Sequence, residues 1–321
     1  MKVVAFGDLH FKKNILTPDK ITGREYYREF FSEVLSVIDE QQPKAVVFLG
    51  DLYDRVSKIH PEVFVGVFDF FTALSYYLQQ KYPQTVVLIV TGNHDMYNNS
   101  NALLKHLSLF GNILVDEPFV LQELDYDKKV YLYPLPYYMK DTYKTIEDLP
   151  STGDHVNLYF SHLPLSDYEK IGHLSIESLN AFPILNSLFI WGHYHFYRIK
   201  GKFVCPGTPY GINFSDADKK DYCYVLIEVD KTGHITYKMK TIKTPYRFVT
   251  KEHNTEEQPY TSYRIKRTDS DVMNKDISVL INVNKEVLNK RFKFDFQEIL
   301  NGYVTDTDVR NYLFSLLGST T

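Results

Sequence analysis

Only two cysteines, Cys205 and Cys223, occur in 321 residues, too few for a disulfide framework and in keeping with a reducing compartment. Long apolar runs are missing as well. No stretch approaches the ~18 residues a membrane span requires, and Met1 to Gly7 is too short for the apolar part of a signal peptide. The expectation is a cytoplasmic protein without a membrane attachment. Strong charge of one sign is also lacking: 36 Lys and Arg against 40 Asp and Glu leave −4. That excludes a uniformly basic coat for nucleic acid, though not a local basic patch. Apolar residues make up 44% and charged residues 24%, which excludes collagen, a long coiled coil and general disorder. Internal repeats and low-complexity tracts are absent. Aromatics are plentiful, with 26 Tyr and 22 Phe, and filling a core is the ordinary use for most of them.

The length exceeds one average domain, so a principal domain with smaller additions is expected. Five short apolar runs punctuate the first two hundred residues: Lys2–Phe6, Lys44–Leu49, Thr85–Val90, Val156–Phe160 and Leu188–Trp191. Their continuity predicts strands covered on both faces. Between them, Tyr26 to Ile38 and Phe64 to Leu78 carry apolar residues at three- and four-residue spacing, as helices do. Alternating strands and helices predict an α/β fold with much parallel pairing, whose ligands gather beyond the carboxyl ends of the strands. After about residue 200 the texture changes to strand-like runs at Tyr222–Val229, His234–Ile242, Tyr260–Arg267 and Ile277–Val283, which suggest a smaller α+β unit. Two amphipathic helices close the chain, one with Phe296, Ile299, Leu300 and Tyr303, the other with Val309, Tyr312, Leu313, Leu316 and Leu317. Charge shifts along the way. Between Lys231 and Arg267 nine basic residues face three acidic ones, which serves either a phosphate-backbone contact or a solvated basic hairpin.

Each of the five early strands is followed by a polar motif: Gly7-Asp8-Leu9-His10, Gly50-Asp51-Leu52-Tyr53-Asp54-Arg55, Gly92-Asn93-His94-Asp95, Ser161-His162 and Gly192-His193-Tyr194-His195. Any one of them occurs by chance and is more often a satisfied polar turn than a ligand. Five in succession, each at a strand end, point to a metal centre. Imidazole, carboxylate and amide oxygen without thiolate suit manganese, iron or zinc in an open catalytic site. The remaining histidines, at 60, 106, 155, 173, 234 and 253, lack such context and are taken as structural or surface residues.

This motif series resembles that of the calcineurin-like metallophosphoesterase superfamily over roughly residues 1–210. The resemblance implies a mixed β-sandwich core flanked by helices. It also implies two divalent cations, Mn²⁺ favoured with Mg²⁺, Fe²⁺ or Zn²⁺ as alternatives, one held by Asp8, His10, Asp51 and His195. The other would be held by Asp51, Asn93, His162 and His193, so that Asp51 bridges the pair. His94 is then the proton donor to the leaving group, with the Asp54 carboxylate orienting it and raising its pKa.

Within the superfamily the chain is similar to the SbcD-like nucleases of double-strand-break repair, and among them to the small recombination endonuclease subunit of T-even-type bacteriophages. Pro206-Gly207-Thr208-Pro209-Tyr210, the stretch Asp216 to Asp221, Tyr246-Arg247-Phe248 and the closing helices carry that likeness. It implies a nuclease domain at 1–210, a small α+β DNA-capping domain at 211–290 and a helical segment at 291–321 that docks on an SbcC-like coiled-coil ATPase. It further implies DNA ends as substrate and two copies of the chain within a heterotetramer, with the Tyr26–Ile38 and Phe64–Leu78 helices as contributors to self-association unless their apolar faces are core. Asp54 stands where archaeal and eukaryotic members carry histidine. Gly-Asp-x-x-Asp-Arg also echoes phosphoprotein phosphatases, but Val56 replaces the glycine found next in those enzymes. A phosphatase, a small-molecule phosphodiesterase and a nonenzymatic scaffold are the rival readings.

Overall fold

The computed structural model describes residues 1–13, 23–55, 59–97, 102–212, 222–243, 247–251 and 261–265. All belong to the first of two compact units, Met1–Lys266 and Arg267–Thr321. The Asp216–Asp221 stretch, Tyr246, the Ile277–Val283 run and both closing helices, and with them the 291–321 segment, lie outside the described residues.

In chain order the first half runs β1 (Lys2–Phe6), α1 (Gly23–Gln41), β2 (Ala45–Phe48), α2 (Pro61–Lys81), β3 (Val86–Ile89), α3 (Ala102–Lys105) and β4 (Ile113–Val115). There follow β5 (Phe119–Leu121), β6 (Val130–Leu135), β7 (Val156–Ser161), α4 (Ile176–Asn180), β8 (Ser187–Trp191), β9 (Arg198–Lys200) and β10 (Phe203–Cys205). Finally come β11 (Cys223–Val229), β12 (Ile235–Thr241), β13 (Arg247–Lys251) and β14 (Thr261–Ile265). Two six-stranded mixed sheets form, ordered β12-β11-β1-β2-β3-β4 and β5-β6-β7-β8-β10-β9, while β13 and β14 pair in parallel as a separate ribbon.

Strand alternation builds the layers. On β1, Val3 and Ala5 point into a core shared with Leu158, Phe160, Leu188 and Ile190 of the second sheet. Their neighbours Val4 and Phe6 point the other way, against Phe30, Val34, Phe70 and Phe71 of α1 and α2. The outer face of the second sheet, with Tyr159, Phe189, Trp191 and Phe203, is covered by Leu163, Leu165 and Leu174 and by Ile176 and Leu179 of α4. Burying both faces is why the five runs read as continuous apolar stretches. Aromatic rings fill these layers: Phe6 stacks on Phe48 at 5.6 Å, and Phe48 meets Phe71 edge-on at 5.1 Å. Each fully buried large apolar side chain contributes roughly 1.5–3 kcal/mol, so the sheets and helices, not the loops, hold the strand ends in place.

Helix α2 begins where His60, extended at ψ 137°, accepts a bond from the Glu62 amide at 3.3 Å through Nδ1, with Pro61 in the first turn. Its apolar stripe, from Val63 to Leu78, is buried in its own core. Of the residues that the Phe64–Leu78 periodicity singles out, Val67, Phe71, Leu74 and Leu78 are buried in this core, while Phe64 and Phe68 are half-buried against it.

Residues 223–241 differ from expectation. The sequence reading ends the core at 210 and places residues 211–290 in a capping domain. Instead β11 lies antiparallel beside β1, pairing Lys2 with Glu228 and Ala5 with Val225, and β12 continues the sheet beyond it. The reason is local: without β11, β1 would be an open edge with apolar side chains on both faces. Lys231, Lys238 and Lys240 of the basic stretch thus belong to the outer hairpin of the first sheet.

Candidate metal centre

Every motif leaves the carboxyl end of a strand. Asp8 and His10 follow β1, Asp51 follows β2, Asn93 and His94 follow β3, His162 follows β7, and His193 and His195 follow β8. The loops are tied to one another by backbone bonds. The amides of Leu9 and His10 both donate to the Asp51 carbonyl, at 3.2 and 2.8 Å, and the Phe11 amide donates to that of Leu52 at 2.7 Å. Asp95, wholly buried, accepts from the Tyr53 amide on one oxygen and the Gly92 amide on the other, each at 3.0 Å, which staples the second loop to the third. Burial, then the nearby Asp51 charge, pushes the Asp95 carboxyl up to about 8 against those two bonds.

Strain concentrates here. Among the described residues five non-glycine positions have positive φ, and three are His10 (46°), Asp51 (48°) and His193 (70°). Each such conformation costs of order 1–3 kcal/mol and persists only where the surrounding structure imposes it. Space is equally constrained. A Cβ on Gly192 would stand 2.5 Å from the Leu49 carbonyl and 2.7 Å from Asp8 Oδ1, and one on Gly92 would overlap the Asp51 carboxylate. We expect Gly92→Ala to displace that carboxylate, lowering both metal affinity and stability, the latter by roughly 1–3 kcal/mol as for overpacked interiors. Calorimetric titration and urea unfolding read the two effects; a variant matching the parent in both would show that the loop yields without moving Asp51.

The side chains converge in overlapping groups. Asp8, His10 and His195 have ligand atoms within 4.8 Å of one another, as do Asp51, His162 and His193, and as do His10, Asp51 and His94. In the first group His10 Nε2 faces His195 Nε2 at 3.1 Å, and Asp8 Oδ2 is 3.8 Å from the latter. Asp51 sits between the groups: Oδ2 is 3.4 Å from His10 Nε2, and Oδ1 is 3.3 Å from His162 Nε2. Asn93 Oδ1 completes the second group, 3.2 Å from His162 Nε2 and 2.9 Å from His193 Nδ1.

These donors fit divalent cations. The Nδ1 of His162 donates to the Leu49 carbonyl at 2.6 Å, leaving its Nε2 lone pair directed at Asp51 and Asn93. Glu169 Oε1 lies 2.5 Å from His193 Nε2, which leaves the His193 Nδ1 lone pair facing Asn93. With both rings neutral, oxygen and nitrogen acceptors face one another, an arrangement that a cation stabilises. Without a cation, the carboxylates draw a proton onto His162 instead. Burial disfavours a charged imidazole at His162, yet Asp51 and Asp8 draw its pKa up to about 10. At Asp51 burial opposes ionisation, but His162, His10 and His94 outweigh it and hold the carboxyl well below its usual range. His10 falls to about 3, chiefly through burial, with Asp51 opposing. His193 falls to about 4, through burial and then His162. Two neutral imidazoles are in the state that ligates metal.

His94 lies beside the first group, its ring 4.9 Å from that of His10. Its amide donates to Asp51 Oδ1 at 2.8 Å. Here the structure differs from the sequence reading of Asp54. The backbone carbonyl of Asp54, not its carboxylate, receives the His94 Nδ1 proton, in a loop whose backbone is bonded to residues 9–11. That carboxylate lies 3.7 Å from His10 Nδ1 and 3.8 Å from Lys12 Nζ. A carbonyl fixes the His94 tautomer as well as a carboxylate does and leaves Nε2 open to the site. Of the histidines left aside, His60 caps α2, His106 packs on Phe64 and Phe68, and His155 lies against Tyr131; His253 is outside the described residues.

Two more residues serve the site beyond the ligands expected from the motifs: Asp95, which closes Gly-Asn-His-Asp, and Glu169. Glu169 carries no motif; only the path of the loop after β7 brings it to His193.

The calcineurin-like phosphoesterase family model matches residues 1–197. Comparison with curated protein sequences returns no match. Among solved structures, the chain is similar to the calcineurin-like phosphoesterase YfkN from Bacillus subtilis, at 12% identity over 76% of this chain and 92% of that one, with a TM-score of 0.45. It is similar to the phosphopantetheinyl hydrolase PptH from Mycobacterium tuberculosis, at 14% identity over 65% and 90% of the two chains, with a TM-score of 0.36. It is also similar to the nuclease MPE from Pseudomonas putida, at 16% identity over 49% and 59%, with a TM-score of 0.27. Among the described residues no helix is long and apolar enough to cross a membrane.

Proposed function

Because this chain belongs to the calcineurin-like phosphoesterase family, we propose that it is a two-cation DNA exo- and endonuclease of the SbcD-like branch, favouring manganese. The observation that carries the hydrolytic part is the pair of ligand groups meeting at Asp51. Bound divalent cations supply Lewis-acid polarisation of a phosphoryl group and an activated water. Asp8, His10 and His195 would hold one, and Asn93, His162 and His193 the other. His94, its Nδ1 proton committed to the Asp54 carbonyl, keeps Nε2 for the departing oxygen, to which it donates a proton.

Support for a nucleic-acid substrate comes from the rim. Two aromatic–cation pairs lie near His193. Tyr137 lies 5.7 Å from its ring with Lys140 Nζ above the tyrosine face at 5.6 Å. Tyr168 carries the Arg198 guanidinium at 5.6 Å and packs at 4.8 Å on Tyr194, whose ring lies 4.9 Å from that of His193. Flat rings beside cations suit bases and phosphates together. The Pro206–Tyr210 segment, part of the likeness to recombination nucleases, braces the site from behind, with the Tyr210 hydroxyl donating to the Leu9 carbonyl. In this reading the chain works in the cytoplasm, as two copies joined to an SbcC-like coiled-coil ATPase.

The test is an assay of manganese-loaded protein on single-stranded DNA, on duplex ends and on p-nitrophenyl phosphate. Cutting of DNA with slow monoester turnover is expected. Fast monoester cleavage with both DNAs intact would reject the nuclease in favour of a phosphatase. No hydrolysis of any substrate would leave the scaffold reading.

A further inference from the structure

We propose that Glu169 is a positioning residue, whose carboxylate keeps the His193 proton on Nε2 and so aims the Nδ1 lone pair at the second cation position. The inference rests on the two-cation reading of the same site and adds a residue that no motif contains. A carboxylate at 2.5 Å can only accept, so Nε2 is the protonated nitrogen. On the far side of the ring Nδ1 stands 2.9 Å from Asn93 Oδ1, itself 3.2 Å from His162 Nε2. His162 reaches the same state through a neutral backbone carbonyl, that of Leu49. His193 has a charged acceptor, which both orients the ring and makes the imidazole a stronger donor to metal.

The fold holds Glu169 firmly enough for this work. It sits in the loop between β7 and α4, where its amide donates to the Leu165 carbonyl at 2.9 Å and its own carbonyl accepts from Gly172 at 3.0 Å. A bridge between Leu165 and Leu174 closes the loop, and the Ser166 amide donates to the Leu174 carbonyl at 2.8 Å. Asp167 accepts from the Ile176 amide at 2.7 Å, anchoring the loop to the start of α4. The Tyr194 hydroxyl accepts from the Leu165 amide at 2.7 Å, tying the loop to the residue next to His193. Loop and imidazole are thus positioned by the same anchors.

Full-length wild type, Glu169→Gln and Glu169→Ala are titrated with Mn²⁺ by calorimetry, and the imidazole tautomers are read by ¹⁵N-resolved NMR in the metal-free proteins. Wild type is expected to bind two ions. Glu169→Ala is expected to bind one normally and the second about 10–100-fold more weakly, the usual loss when a partner behind a ligand is removed. Its His193 signals are expected to show a mixture of tautomers. Glu169→Gln, whose amide oxygen still accepts from Nε2, is expected to recover the tautomer and part of the affinity, which a merely structural role would not produce. Two ions bound by Glu169→Ala as tightly as by wild type, or an unchanged tautomer, would overturn this proposal alone. A wild-type chain that takes up no Mn²⁺ would overturn the two-cation reading and this proposal with it.

Discussion

Exchanging Asp51 for asparagine is expected to lower kcat/KM by on the order of 10⁴-fold, the scale seen when one member of a cooperating catalytic set is removed. Asp51 is 2% exposed, and both its oxygens are engaged. Oδ1 accepts from the His94 amide and lies near His162, while Oδ2 lies near His10. An amide has one acceptor and one donor in that place, so the substitution sets an N–H either against the His94 amide or into the first ligand group. It also removes the charge that draws a cation to a site containing several imidazoles. Loss of both ions is expected together with loss of turnover, and atomic emission on the purified variant measures it. A variant that keeps two ions per chain would remove Asp51 from the shared position.

The second large effect is expected at His94 and should be of another kind. His94→Ala is expected to keep its metal, since the hydrogen bond from His94 to Asp51 comes from the backbone amide, and to lose about 10²–10⁴-fold in kcat, the range for general acid catalysis. The loss should depend on the leaving group. A deoxyribose oxygen needs the proton, whereas p-nitrophenolate departs without it, so a p-nitrophenyl diester is expected to suffer much less than DNA. Equal losses on both substrates would argue that His94 serves the metal group instead, as its place within 4.8 Å of His10 and Asp51 permits. Asp54→Asn separates the carbonyl from the carboxylate: it preserves the backbone oxygen that holds His94 and is expected to retain most turnover.

Much of this site was legible before the structure because its chemistry needs several polar residues at each strand end. The runs Lys2–Phe6 and Leu188–Trp191 stand out because both faces of those strands are buried, and Gly-Asp or Gly-His directly after them marks where the backbone turns. Other strands gave no such signal. Ile113–Val115 and Phe119–Leu121 are three residues each, too short for periodicity, while Val130–Leu135 contains Pro134, which argues against a strand by composition. The Cys223–Val229 run reads as a strand but cannot say which sheet it joins, since its pairing with Lys2–Ala5 crosses more than two hundred residues of sequence. Asp54 shows another limit: spacing from Asp51 places the residue beside His94 but does not tell main chain from side chain.

The partnership of β1 with β11 also bears on the order of assembly. The loop carrying Asp8 and His10 hangs from a strand whose two neighbours arrive at very different times, β2 soon after it and β11 only some 220 residues later in the chain. Contacts of such separation close slowly because the chain must first lose the freedom of a large loop. A nascent chain stalled before Cys223 is therefore expected to hold every ligand-bearing motif yet leave the β1 rim open to intermolecular pairing, so competence for metal arrives as a late event in biosynthesis.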